Sequence, residues 1–258
     1  MFWFDVLIYS YLFFLGIVFG SFYNVVGIRV PNKESLLGRS HCPKCGKTLG
    51  VIELIPIIGY LVLKGRCKNC SSHISVKYPI MEFITGVLFV LTFVFLRANM
   101  VEYIIEYILL IVFISLMVII TVSDMYYQIV PDIILIIFLP VIFALRMLSP
   151  VILWYNAIIG AVLGFGFMYL IALYGRKRFK QEALGGGDIK LYFIIGLVLG
   201  YELVFMSVLF AALLGILYSI IFKKRSGYLP FVPFIFAGTY LAYFVGPIIL
   251  DWYSSLFF

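Results

Sequence analysis

Residues 189–222 read IKLYFIIGLVLGYELVFMSVLFAALLGILYSIIF, an apolar run interrupted by Lys190 at its start and by Gly200-Tyr201-Glu202 near its middle. The run is either one very long helix or two helices broken at 200–202, and charge decides between them. The remaining apolar segments are 3–28, 79–97, 103–123, 131–148, 151–174 and 229–250. With the break kept and the N-terminus outside, the loops 29–78, 124–130, 175–188 and 223–227 face inward. Seventeen of the nineteen Lys and Arg residues then lie on the inner side, and only Arg97 and Arg146 lie outside, a strong positive-inside asymmetry. Fusing 189–222 would place Lys223, Lys224 and Arg225 outside and weaken it. The expectation is therefore eight spans, with 189–200 a short piece of about 18 Å as helix that sits in protein or lines a wet cavity.

Composition agrees. The 258 residues are 64% hydrophobic and 12% charged, with mean hydropathy +1.15, outside the usage of a soluble domain. Continuous apolar runs near the roughly 20 residues that span a bilayer favour helices, because a membrane barrel would alternate in and out. The fold class expected is all-α, a polytopic membrane protein with a cytoplasmic zinc-ribbon-like loop. The first apolar stretch is too long for a signal-peptide core and has no basic residue ahead of it, so it reads as a retained helix. Gly16 with Gly20, Gly160 with Gly164, and Gly196 with Gly200 recur at the spacing of close helix packing. Asn24 falls on the Gly16–Gly20 face and should meet another helix.

All four cysteines lie in the loop 29–78, as Cys42-Pro-Lys-Cys45 and Cys67-Lys-Asn-Cys70, with 21 residues between the pairs. Two C-x-x-C turns offer four thiolates to one tetrahedral zinc. Two disulfides or unligated thiols are the other readings, and His41 and His73 stand as alternative ligands. The apolar stretch from Val51 to Leu63 is too short to span and should lie on the membrane or tuck under the helices.

Of twelve acids, Glu34, Glu53 and Glu182 fall in loops, while Asp5, Glu102, Glu106, Glu202 and Asp251 sit near outer helix ends. Asp124, Asp188 and Glu82 lie at the inner boundary of their segments, where ionisable groups tend to mark function. Asp188 follows Gly185-Gly186-Gly187, a run suited to unusual dihedrals or close backbone approach. It could simply cap the next helix. Two aspartates at matching depth can instead share a proton, one serving as base and the other as acid. Asp132, after Pro131, reads as a helix-start acid.

Taken together, these residues resemble the type IV prepilin leader peptidases, membrane enzymes of the G-x-G-D aspartyl class. The resemblance rests on Gly20-Ser21-Phe22, Asn24-Val25-Val26, Arg29 to Pro31, both cysteine pairs, Leu54-Ile55-Pro56, Tyr78-Pro79 with Glu82, Asp124, Val130-Pro131-Asp132 and Gly185-Gly-Gly-Asp188-Ile-Lys190. It implies that Asp124 and Asp188 are catalytic and that Gly185, Gly187, Lys190, Glu82, Asn24 and Arg29 support them or bind substrate. Cys42, Cys45, Cys67 and Cys70 would hold structural zinc. The implied substrate is a prepilin or pseudopilin cut on the cytoplasmic side of the bacterial inner membrane. Methylation of the new N-terminus from S-adenosylmethionine would follow.

The corresponding division is 1–28 as first transmembrane helix, 29–78 as tetracysteine loop and 79–258 as a seven-helix peptidase core. The family often carries Pro-Phe-Gly-Pro near its last helix, where this chain has Pro230-Phe231-Val232-Pro233. The basic charge of the loop is explained by orientation and anionic lipid rather than by attraction to a basic leader. The lipid bilayer is the other partner expected, no nucleic acid is expected, and the oligomeric state is open. A carboxylate-based ion-coupled transporter and a zinc-bearing scaffold are the rival readings.

Overall fold

The structure, a computed structural model, describes residues 2–96, 103–180, 184–222 and 229–256. Arg97, Glu102, Glu182 and Lys223 to Arg225, used above for orientation, lie outside the described residues. The described residues are almost wholly helical: α1 Phe2–Arg29, α2 Val51–Leu54, α3 Ile58–Val62, α4 Lys77–Leu96, α5 Ile104–Tyr127, α6 Asp132–Leu148, α7 Trp154–Phe179, α8 Gly186–Ile221 and α9 Val232–Ser254. Six of these, α1, α4, α5, α7, α8 and α9, are long and apolar enough to cross a membrane. The chain divides into two compact units, 1–94 and 95–258.

In the first unit, α1 lies against α4 through its small residues. A Cβ on Gly16 would stand 2.7 Å from Gly86 Cα, and one on Gly20 would stand 2.9 Å from Glu82 Cα. This is the face expected from the glycine spacing. Asn24, buried one turn further on, donates from Nδ2 to the Tyr78 carbonyl of α4 at 3.2 Å. Between the two long helices, α2 and α3 expose Val51, Ile52, Leu54, Ile58, Leu61 and Val62, as expected of a stretch that meets lipid rather than water.

In the second unit, α5 is buried without exception from Phe113 to Asp124, the mark of a helix surrounded by protein. The most informative element is α8. Gly200 has φ 74 and ψ 177, a conformation close to exclusive to glycine. A Cβ on Gly164 of α7 would be 2.7 Å from the Tyr192 carbonyl oxygen and 2.8 Å from Val204 Cγ2, although an unbroken helix would separate those residues by about 18 Å. The chain therefore doubles back at Gly200, where the sequence placed its break. The reversal leaves backbone groups without helical partners, and side chains supply them. Asn156 Oδ1 accepts from Tyr201 N–H at 2.8 Å, and the Val198 carbonyl accepts from Arg146 Nη2 at 3.1 Å. Gly160 makes the close approach of α7 possible, since its Cβ would stand 2.5 Å from Gly200 C.

One assignment needs correction. Glu106 and Arg146 read as ordinary charges near outer helix ends, but both are fully buried and paired with each other. Arg146 is thus held in protein rather than counted among loop charges.

Candidate active site

Asp124 occupies the last turn of α5, which ends in the left-handed Gln128, whose N–H returns to the Asp124 carbonyl at 3.0 Å. The carboxylate is buried, and its Oδ2 accepts the backbone N–H of Val232 at 3.0 Å. Phe231 is the N-cap of α9, so Val232 is its first residue and Pro233 follows. The positive end of the α9 dipole therefore faces Asp124, an arrangement that favours an anion. The contact uses only backbone, so valine serves where the resembled family often has glycine.

Asp188 is the third residue of α8, whose N-cap is Gly185. Its N–H donates to the Gly185 carbonyl at 3.1 Å. The carboxylate folds back over the glycine run, so that a Cβ on Gly185 would stand 3.3 Å from Oδ2. A Cβ on Gly187 would meet Val130 Cβ at 2.5 Å. The requirement at Gly187 is close approach to the turn between α5 and α6, whereas Gly185, at φ −66 and ψ 138, has an ordinary extended backbone. Through this packing the turn that follows Asp124 and α5 meets the start of α8, where Asp188 lies.

Lys190 pairs with Asp132. Its Nζ lies 2.8 Å from both carboxylate oxygens of Asp132, the first residue of α6, and both side chains are exposed. The ion pair staples the start of α6 to the start of α8. Sequence reading named both residues but not their partnership.

Glu82 is buried in the first unit. Its Oε2 accepts from Ile57 N–H at 2.8 Å, and Ile57 holds φ 60, ψ −52, a strained conformation for a β-branched residue. Glu82 thus fixes the bend between α2 and α3. Arg29, at the end of α1, donates from Nη1 to the Ser35 carbonyl at 3.1 Å.

The cysteine pairs form two matching turns. Cys42 N–H donates to the Lys47 carbonyl and Gly46 N–H to the Cys42 carbonyl; Cys67 to Ser72 and Ser71 to Cys67 repeat the pattern, each bond 2.9 Å. The four Sγ atoms lie within 4.8 Å of one another, with Cys42–Cys70 at 3.8 Å and Cys45–Cys67 at 4.0 Å. Four thiolates about 2.3 Å from a central zinc would stand about 3.8 Å apart, whereas a disulfide needs about 2.05 Å. The cluster therefore fits a tetrahedral metal ion and is not disulfide-bonded. Backbone N–H groups of Cys45 and Lys44 hold the Cys42 thiol down at about 6, and the Ser72 hydroxyl and N–H lower Cys70. His41 and His73 lie in the backbone bridges to Thr48 and Arg66 that flank the turns, and neither belongs to the ligand cluster among the described residues.

Comparison with known proteins bears on both units. Residues 14–96 match the Bacterial Peptidase A24 N-terminal domain, and residues 111–220 match the Type IV leader peptidase family. The chain is 39% identical over 254 residues to the Prepilin leader peptidase/N-methyltransferase of Bacillus subtilis (strain 168), which covers 96% of this chain and 98% of that one. The chain belongs to the type IV leader peptidase family. It is also 35% identical over 218 residues to the protein of the same name in Myxococcus xanthus (strain DK1622), covering 84% of this chain and 64% of that one. A third relative of that name, from Klebsiella pneumoniae, is 35% identical over 79% of this chain and 90% of its own length. No solved structure matches the chain. The ion-coupled transporter considered above is set aside, because family and relatives alike are peptidases. Both aspartates and the three glycines before Asp188 fall within the region matched to the leader peptidase family, and all four cysteines fall within the N-terminal match.

Proposed function

We propose that this protein is a membrane aspartic endopeptidase. It removes the leader of a type IV prepilin or pseudopilin at the cytoplasmic face of the bacterial inner membrane, then methylates the new N-terminal amine with S-adenosylmethionine as methyl donor. The observation that carries the reading is that Asp124 at the end of α5 and Asp188 at the start of α8 lie in the region matched to the leader peptidase family, where Gly187 packs on Val130 of the turn after α5. Two carboxylates at close range resist simultaneous ionisation. The charged one takes a proton from water as it attacks the scissile carbonyl, and the protonated one donates to the departing amine. The backbone N–H of Val232 favours Asp124 as the charged partner, since a hydrogen bond to the anion stabilises it.

In the cysteine loop, Cys42, Cys45, Cys67 and Cys70 hold one zinc ion, whose contribution is to fold a segment with little core of its own. Eight spans are the reading we favour. The reversal at Gly200 divides α8 into two antiparallel pieces, and α6, at 17 residues, approaches the length needed to cross. The N-terminus then lies outside and the aspartates face the cytoplasm, in keeping with the distribution of basic residues.

The decisive experiment incubates purified protein in lipid with a prepilin and reads leader loss and methylation by intact mass. Leader loss followed by methylation is the expected order, since the amine exists only after the cut. An uncut prepilin overturns the reading.

A further inference from the structure

A second polar cluster lies in the same unit as the aspartates and takes no part in the chemistry above. Arg146 donates from Nη1 to Glu106 Oε2 and from Nη2 to Glu106 Oε1, both at 2.9 Å, and both residues are fully buried. Ser149 Oγ donates to Glu106 Oε2 at 2.5 Å, the Tyr243 hydroxyl donates to Oε1, and Arg146 Nη2 also reaches the Val198 carbonyl at 3.1 Å.

A buried ion pair is poor value as pure stabilisation, because desolvation offsets most of the attraction; its best-attested use is to specify register. The partners here suit that use. Glu106 is on α5, Arg146 on α6, Val198 in the first half of α8 and Tyr243 on α9. Three of these helices carry an element of the candidate active site further along: Asp124 near the end of α5, Asp188 at the start of α8 and Val232 at the start of α9; α6 begins at Asp132, which is tied to α8 through Lys190. Helix backbones are stiff along their axes, so a shift of one residue at the cluster moves the far end by about 1.5 Å. A displacement of about 1 Å at reacting groups is enough for roughly a hundredfold loss of rate. The Val198 contact is specific to this geometry, since that carbonyl is free for a side chain only because the helix ends at Gly200.

We propose that Glu106 and Arg146 are positioning residues, a clasp that sets the register of α5, α6, α8 and α9 and thereby the separation of Asp124 and Asp188. The proposal rests on the peptidase reading above.

The test compares the parent chain in lipid with the double variant Glu106→Leu/Arg146→Leu and with Arg146→Lys, using a prepilin substrate. The double variant leaves no uncompensated buried charge, so it should accumulate and fold. Its kcat should fall about 10- to 100-fold with KM little changed. The pH profile of kcat should shift, because the separation of two carboxylates sets how strongly they share a proton. Arg146→Lys, which loses the two-pronged guanidinium geometry, should fall between parent and double variant. A merely structural pair would change the folded amount and leave the pH profile of the folded protein alone. Parental kcat and pH profile in the double variant overturn the proposal. Should that variant fail to accumulate, Arg146→Lys is decisive, because it keeps both buried charges and loses only the two-pronged geometry, and parental kcat and pH profile in it overturn the proposal equally. A parent that cuts nothing overturns the peptidase reading, and this inference falls with it.

Discussion

The Oδ2 atom of Asp124 accepts a hydrogen bond from the backbone N–H of Val232, a residue 108 positions later, at 3.0 Å. A side chain at the end of one helix is thereby tied to the first turn of another. The tie depends on backbone geometry, so the identity of residue 232 matters for packing more than for the contact itself.

Val232→Gly should therefore keep leader cleavage within a few-fold of the parent while lowering thermal stability. Val232 is fully buried, and losing such a side chain removes about 1.5 to 3 kcal/mol of burial. Cleavage rate measured beside a melting curve checks both halves. A large loss of rate in a variant that still folds would show that the valine side chain, not its N–H, matters to Asp124.

Asp124→Asn and Asp188→Asn should each abolish leader cleavage while the protein still inserts and accumulates. Each swap conserves shape and removes one partner in proton transfer, a contribution of about 10² to 10⁴ in rate. Intact-mass detection of leader loss is the measurement, and near-parental cleavage by either variant rules out the paired-aspartate mechanism.

Asp132→Asn should behave differently. Its pairing with Lys190 is exposed on both sides, 53% and 58%, and such pairs contribute about 0 to 1 kcal/mol. Cleavage should fall by no more than about fivefold. An inactive but folded Asp132→Asn protein would promote this residue into the chemistry.

The cysteine cluster should carry about one zinc per chain, read by elemental analysis and lost in Cys42→Ser/Cys45→Ser. That variant should cleave prepilin but methylate it poorly. The pH dependence follows from Cys42, held at about 6 by the N–H groups of Cys45 and Lys44. Above that pH the thiol is already deprotonated, so metal binding there displaces no proton from it. Below it, one more proton competes, and affinity should fall by an additional factor of about ten per pH unit. A competition titration with a chelator from pH 8 to pH 5, corrected for the chelator's own protonation, should show the slope steepening near 6; a constant slope would show that the Cys42 thiol is not held down in this way.

Local patterns made much of this molecule legible. Gly16, Gly20 and Asn24 announced a packed face because helical spacing alone puts them together, and the cysteine pairs announced a metal cluster because each tight turn brings two thiols close. Gly200 was readable for the same reason, as an interruption in an apolar run with basic residues beyond it. What escaped was tertiary. Glu106 and Arg146 are 40 residues apart, and no periodicity joins them. The one available signal was an arginine in the last turn of an otherwise apolar helix, which at membrane depth calls for a partner. Val130 as the reason for Gly187, and Lys190 as the partner of Asp132, needed the fold itself, because each contact joins different helices or turns.

The reversal at Gly200 also bears on where hydrolytic water comes from. The first half of α8, Gly186 to Leu199, is 14 residues and rises about 21 Å, against a hydrocarbon layer of about 30 Å. In the orientation proposed above, with the turn toward the outer surface, a piece of this length does not by itself reach the inner one. Asp188, third residue of that piece, would then begin its helix inside the layer rather than at its inner surface. Hydrolysis by the proposed aspartate pair then requires water to reach that depth beside Asp188, because water is the nucleophile.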